Sequence, residues 1–344
     1  MGINEEKEVI MLYLGIDYHK RWSYFTCEDE GGRVKWSKKV RNDREEIEGL
    51  LNLEERYKVV LECGRNWGVM YDTLEDIGCI EKLVLANPFK TKAIAYAKIK
   101  TDKIDSKVLC DLLRANLIPL VWVPPKDIRW KKYIARNRAF LVSLKTMIKN
   151  RIHVIIDRNH LNSPSVSDIF GRYGRQWLYS ISLPEEERRL LDNHLKMLEF
   201  LEEEIKGVER WLKDLFRGDR YVELLNTIPG IGKIFGVMIA LEIGDINRFP
   251  DAKHLHSYAG LVPSTYASGN KVYHGRLIKY ANKWLRWAFV EATLTAIRVS
   301  PFFRSYYERR LENKSTQASI ISTARMLASV TYHVLKENRE YREW

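Results

Sequence analysis

Tyr13-Leu14-Gly15-Ile16-Asp17 is an apolar run that ends in an acid, and Tyr57-Lys58-Val59-Val60-Leu61-Glu62 repeats that design further along the chain. Both read as buried strands that deliver a carboxylate at the C-terminal end. Asp102 and Asp105 then open a helix, three residues apart. Acids gathered at strand ends and at a helix start repel one another. A divalent cation is the natural reason to bring Asp17, Glu62, Asp102 and Asp105 together.

Working outward, strand patterns cover 12–18, 23–28 and 33–40, followed by a helix over 43–51, a strand over 57–62, a helix over 67–78 and a strand over 81–86. Three strands in succession, then helix, strand, helix, strand, do not make a regular doubly wound pattern. The order predicts an α/β domain with a mixed sheet flanked by helices, as in the ribonuclease H-like fold. In the acidic helix, spacing at about 100° per residue puts Val108, Leu109, Leu112 and Leu113 on one side with Asp102 and Asp105, and Lys103, Lys107, Asp111 and Arg114 on the other. Capping by Thr101 or Asp102 explains one carboxylate. It leaves the second inward-facing acid and the two strand-end acids unexplained, which favours a metal site.

Residues 126–175 hold twelve Lys or Arg against three acids, Asp127, Asp157 and Asp168. The first half reads as a basic helix suited to nucleic acid. Leu191, Leu198, Ile205 and Leu212 then recur every seven residues, with Leu201, Val208 and Leu215 at an offset of three. This short coiled-coil pattern serves either packing on the chain's own basic helix or dimerisation. Further on, Ile228-Pro229-Gly230-Ile231-Gly232-Lys233 reads as a helix-hairpin-helix turn, whose amides and Lys233 can face a phosphate. Between 252 and 310 there are ten basic residues against Glu291 and Glu308. Lys271, Arg276, Lys279, Lys283 and Arg286 are the candidate phosphate contacts there, on and before a helix whose other side carries Ile278, Ala281, Leu285, Phe289 and Ala292. Ser268 lies beside Gly269 in an expected turn. By itself it is a turn former, since a nucleophilic serine needs an activating base or metal.

The chain has 344 residues, room for two domains and a helical connector. Its formal net charge of +12 points to polyanionic partners. No apolar run reaches the roughly 18 residues that span a bilayer, and the N-terminus lacks the pattern of a leader, so the expectation is a soluble protein of the cytoplasm. Cys27, Cys63, Cys79 and Cys110 form no close pair and read as free thiols. His254 and His256 are too poorly spaced on a helix to read as ligands.

Leu-Gly-Ile-Asp17, Val-Val-Leu-Glu62 and Lys-Thr-Asp102-Lys-Ile-Asp105 resemble the DEDD tetrad of the transposases related to the Piv DNA invertase. Ile-Pro-Gly-Ile-Gly, Ala-Gly-Leu-Val-Pro and Ser268-Gly-Asn-Lys271 resemble the C-terminal transposase domain of the same family, in the same order. The resemblance covers nearly the whole chain. It implies a RuvC-like catalytic domain over 1–122, a basic helical and coiled-coil connector over 123–220, and a mainly helical transposase domain over 221–344. It further implies Mg2+ at the four carboxylates, Ser268 as nucleophile, target and donor DNA as substrates, a structured bridge RNA as guide, a homo-oligomer (dimer or tetramer) that shares its active sites, and work at a prokaryotic nucleoid. The chain departs from the family at Tyr280-Ala281-Asn282, where many members carry glycine. The carboxylates alone also allow a hydrolytic nuclease of the junction-resolvase type, and the charge alone allows a non-catalytic nucleic-acid-binding protein.

Overall fold

The computed structural model describes residues 10–95, 101–268, 271–278 and 280–343, and the side chains of 266–268, 271, 272 and 274 lie outside that description. The chain divides into two compact units, Met1–Val123 and Pro124–Trp344.

The first unit is built on β1 (Met11–Tyr18), β2 (Trp22–Glu28), β3 (Val34–Arg41), α1 (Arg44–Glu48), β4 (Arg56–Glu62), α2 (Trp67–Glu75), β5 (Ile80–Ala86), α3 (Pro88–Ile94), α4 (Asp102–Arg114) and the short β6 (Leu120–Val121). The sheet order is β3-β2-β1-β4-β5-β6. The first three strands form an antiparallel meander, β4 and β5 run parallel to β1, and β6 returns antiparallel on β5. This is the expected mixed sheet. Helix α1 is shorter than expected, because Asp43 caps it through Glu46 N and Gly49 ends it. The sequence reading contained neither α3 nor β6.

Side chains alternate across a strand, and that alternation decides what each face carries. Leu12, Leu14, Ile16, Val59 and Leu61 join the core under α1 and α2, with Ile47, Met70 and Leu74. Val60 packs with Leu109 of α4 on the other face. Asp17 and Glu62 are out of phase with Ile16 and Leu61, which places them on the face that α4 covers.

The second unit contains α5 (Lys126–Arg158), α6 (Arg172–Ser180), α7 (Glu185–Leu215), α8 (Arg220–Asn226), α9 (Lys233–Ile243), α10 (Ala252–Ala259), β7 (Pro263–Ser268), β8 (Lys271–Leu277), α11 (Lys283–Val299), α12 (Pro301–Leu311) and α13 (Thr316–Lys336). Helices α5 and α7 form an antiparallel pair, cross-linked by Arg138–Glu209 near one end and Arg158–Glu187 near the other. The heptad residues Leu191, Leu198, Ile205 and Leu212 are buried. Their partner is the chain's own basic helix. The pair has a distal core of Ile152, Ile155, Ile156, Leu178 and Leu195. At its base, Ala135, Ala139, Leu212 and Phe216 share the core of α8 to α13. Gly230, between α8 and α9, has φ +90, and a Cβ there would lie 2.4 Å from Ala292 O. Only glycine fits both that dihedral and that approach to α11.

Helix α11 begins at Lys283, later than the sequence reading placed it, because Asn282 accepts from Trp284 N and Leu285 N and fixes the start. Leu285, Phe289 and Ala292 are buried as expected, while Ile278 and Ala281 precede the helix. No helix among the described residues is long and apolar enough to cross a membrane. All four cysteines are free.

Candidate active site

Helix α4 reaches the sheet because Gly15 lets it. A Cβ on Gly15 would lie 2.1 Å from Ser106 O and 2.6 Å from Cys110 N. Around that contact the Ser106 hydroxyl meets Thr26 Oγ1 at 2.7 Å, and Cys110 Sγ donates to Tyr13 O at 3.0 Å. Lys107 pairs with the fully buried Glu28 at 3.1 Å. The contact face is therefore Ser106, Leu109, Cys110 and Leu112, with Ser106 and Cys110 where the sequence reading had Val108 and Leu113. Lys107 and Arg114, expected on the free side, both face Glu28.

This docking gathers the acids in two overlapping groups. Asp17, Glu62 and Asp105 line a cavity of about 230 Å³ with Thr91, Lys92 and Leu109. Asp17 also belongs to a second group, in which His19 Nε2 lies 3.1 Å from Asp17 Oδ2 and 3.3 Å from Asp102 Oδ1. Asp102 sits at the first position of α4 and is half exposed, not turned into the contact as expected. Its helix is capped by Thr101, one of the two expected caps, which accepts from Ile104 N.

Burial holds the Asp17 carboxyl above its ordinary pKa, and the charges of Asp102 and Asp105 add to the shift while His19 opposes it. Such a group lowers its free energy by taking a proton or a cation. One ligand atom each from Asp17, His19 and Asp102 lie within 4.8 Å of one another, a donor set that fits a divalent ion. His19 was missed in the sequence, where a single histidine just beyond a strand has no motif. The available signal was the strand period of two, which puts 17 and 19 on the same side.

The serine-bearing segment lies in the second unit. Ser268 ends β7 and pairs in register with Lys271 of β8, so it belongs to a hairpin strand and not to a turn. The side chains of Ser268 and Lys271, and the whole of Lys279, lie outside the described residues. The hairpin is fastened at its base. Ser264 Oγ donates to Arg276 O, Asn282 N donates to Tyr258 O, and Arg286 donates to the carbonyls of Ala259 and Ile278. Lys233, Arg276 and Lys283 are exposed, as phosphate contacts need. The inward engagement of Arg286 takes it out of that exposed set.

Behind the hairpin, Asn282 Nδ2 donates to Glu242 Oε2 at 2.8 Å. Glu242 is buried and receives two bonds from Arg136, at 2.7 and 2.9 Å, with Lys132 at 3.6 Å. Burial works to raise the Glu242 carboxyl, but Arg136, Lys132 and Asn282 outweigh it and hold it below its usual value. Lys132 is pushed down to about 8 by burial, against the pull of Glu242. Sequence gave no sign of this cluster.

Residues 14–160 match the DEDD transposase domain of the IS110 type, and residues 222–308 match the Transposase IS116/IS110/IS902 family. The chain is 25% identical to the insertion element IS116 uncharacterized 44.8 kDa protein of Streptomyces clavuligerus, over 95% of each. It is 28% identical to the pilin gene-inverting protein of Moraxella lacunata, over 76% of this chain and 74% of that one. It is 22% identical to the transposase for insertion sequence element IS1111A of Coxiella burnetii, over 96% of this chain and 91% of that one.

Proposed function

Because the chain belongs to the IS110/IS116 transposase family, and so is a DNA-cleaving and strand-transferring enzyme, we propose that Asp17, Glu62, Asp102 and Asp105 hold Mg2+ beside a scissile phosphate and that Ser268 is the nucleophile. The observation that carries the first half is the double membership of Asp17, which lines one cavity with Glu62 and Asp105 and is bridged to Asp102 through His19. The strand order, with acids at the C-terminal ends of β1 and β4, supports the RuvC-like reading of this unit.

In this reading Ser268 Oγ attacks phosphorus. The Oγ–P bond forms, the bond from phosphorus to one bridging sugar oxygen breaks, the serine proton leaves to a base or solvent, and the released oxygen takes up a proton. A hydroxyl from a different DNA end then attacks the serine phosphodiester, which restores Ser268 and joins the new ends. The bound metal would supply Lewis-acid polarisation of the phosphoryl oxygen. A gene-inverting protein among the relatives favours rejoining over simple cutting.

Exposed Lys233, Arg276 and Lys283, on a chain of net charge +12, fit contacts to nucleic-acid backbone, with the α8–α9 turn acting as a helix-hairpin-helix. Phosphate contacts carry no sequence information. A structured guide RNA that pairs with target and donor DNA is the reader assigned here. Oligomerisation is supported by Tyr133, Phe140, Met147 and Val154, a seven-residue stripe on α5 in which each side chain is more than half exposed. Ser268 and the carboxylates are assigned to different protomers of that assembly.

The test uses full-length protein, Mg2+ and suicide DNA substrates that trap a covalent adduct. An adduct with the wild type that is absent in Ser268→Ala supports the mechanism. Free cleaved ends that persist in Ser268→Ala would replace it with metal-dependent hydrolysis. Sequencing RNA that copurifies tests the guide: one discrete structured species supports it, and bulk RNA argues against it.

A further inference from the structure

We propose that His19 is a nitrogen ligand of the metal site, so that the site that serves Mg2+ binds first-row transition ions such as Mn2+ more tightly. The inference rests on the reading of Asp17 and Asp102 as metal ligands and adds a donor to that set.

Three observations carry it. The first is spacing. Ligands at right angles around an ion bound at about 2.1 Å stand roughly 3 Å apart. His19 Nε2 stands 3.1 Å from Asp17 Oδ2 and 3.3 Å from Asp102 Oδ1. One ion can therefore touch all three residues with little rearrangement, each giving one atom.

The second is that the residue is held in place. The loop after β1 is clamped by Asn42, whose Nδ2 donates to His19 O at 2.6 Å and whose backbone N donates to Arg21 O at 2.9 Å. Asn42 is itself fixed by Ser23 Oγ at 2.6 Å. A histidine fastened through its own carbonyl has lost part of the freedom that binding would otherwise remove.

The third is chemical. His19 lies two residues beyond Asp17, just past the end of β1, and its imidazole presents Nε2 at the point where two carboxylates converge. A carboxylate-only site suits hard ions such as Mg2+. An added imidazole raises affinity for first-row transition ions over Mg2+, least for Mn2+ and more for Co2+ and Zn2+. His19 is about half exposed, so replacing it leaves the core untouched.

The experiment uses the full chain with Mn2+ as probe. Binding is followed by electron paramagnetic resonance, and pulsed measurements read coupling of the bound ion to 14N. Mg2+ affinity is read by competition in the wild type, His19→Ala and Asp17→Asn. We expect 14N coupling in the wild type that disappears in His19→Ala, with Mn2+ affinity falling about tenfold and Mg2+ affinity changing less than about twofold. Mn2+ bound without 14N coupling, or equal loss for both ions, overturns the role of His19 and leaves the carboxylate site standing. Mn2+ binding that is absent, or unaffected by Asp17→Asn, overturns the metal reading itself.

Discussion

Helices α4 and α11 both present a functional segment to a core, and the contact of α4 with β1 is made by closeness while the cap of α11 is held by charge. Where α4 meets Gly15 the fastening is steric and neutral, with the Ser106–Thr26 hydroxyl pair and a thiol on a backbone carbonyl beside it, and the Lys107–Glu28 pair lies next to it. The start of α11 hangs on Asn282, which is tied to the buried Glu242 and through it to Arg136 and Lys132. Close packing has a short range and is indifferent to salt and pH. A buried carboxylate ringed by cations is strong only while every member is present. The Gly15 contact should thus be indifferent to salt and pH, and the tie between Asn282 and the Glu242 cluster should depend on both.

The sharpest way to break that comparison is Glu242→Ala, which leaves the buried Lys132 and the partly buried Arg136 without their carboxylate. It should cost about 3–5 kcal/mol in urea unfolding and should speed hydrogen exchange at the start of α11. Adding Lys132→Met should return part of the loss. If Glu242→Ala costs less than Gly15→Ala, the contrast fails.

Acid should act in the same direction on the second unit. His256 is buried against Ser329 and pushed down to about 4, first by burial and then by the charge of Arg325. The unfolded chain takes up this proton below about pH 6.5 and the folded chain only below about 4, so stability is complete above 6.5 and is lost as pH falls between those values. The loss should approach about 3 kcal/mol by pH 4. Denaturant melts across this range check it, and His256→Gln should flatten the slope.

Gly15→Ala drives a methyl into the backbone of α4. About 1–3 kcal/mol of stability should go, together with weaker divalent-ion binding as α4 lifts from Asp17, both readable by calorimetry. Thr26→Val, which leaves the buried Ser106 hydroxyl without that partner, should cost only about 1 kcal/mol and spare ion binding.

Those same fastenings explain what could be read from the sequence. Strands β1, β2, β4 and β5 were legible because apolar alternation and terminal acids are local signals. Asp17 and Glu62 followed from those strand ends, and Asp102 and Asp105 from the start of a helix. The face of α4 was only half legible, since an apolarity wheel favours Leu113 and overlooks Ser106, which is buried because it is small enough to meet Gly15 across the chain. The β7–β8 pairing was hidden by Gly269, which drew Ser268 into a turn, although Thr265-Tyr266 and Val272-Tyr273 are good strand residues. The seven-residue pattern of α7 announced a seam without naming its partner, because periodicity fixes a stripe and not what covers it. Glu242 could not have been found. A single acid in an apolar helix shows its partners only after α5 and the α11 cap have been brought to it.

The antiparallel pair of α5 and α7 has a mechanical meaning as well. At 1.5 Å per residue, the 33 residues of α5 make a rod about 50 Å long. It is rooted at Ala135 and Ala139 and carries a separate packed tip at Ile152, Ile155 and Ile156. The tip lies about 25 Å from the root at 1.5 Å per residue, so a tilt of 5° carries it through about 2 Å, more than half of a base-pair step of about 3.4 Å. Whatever grips the tip is thereby geared to the root, so a sub-ångström adjustment near the Glu242 cluster becomes a displacement on the scale at which DNA is measured.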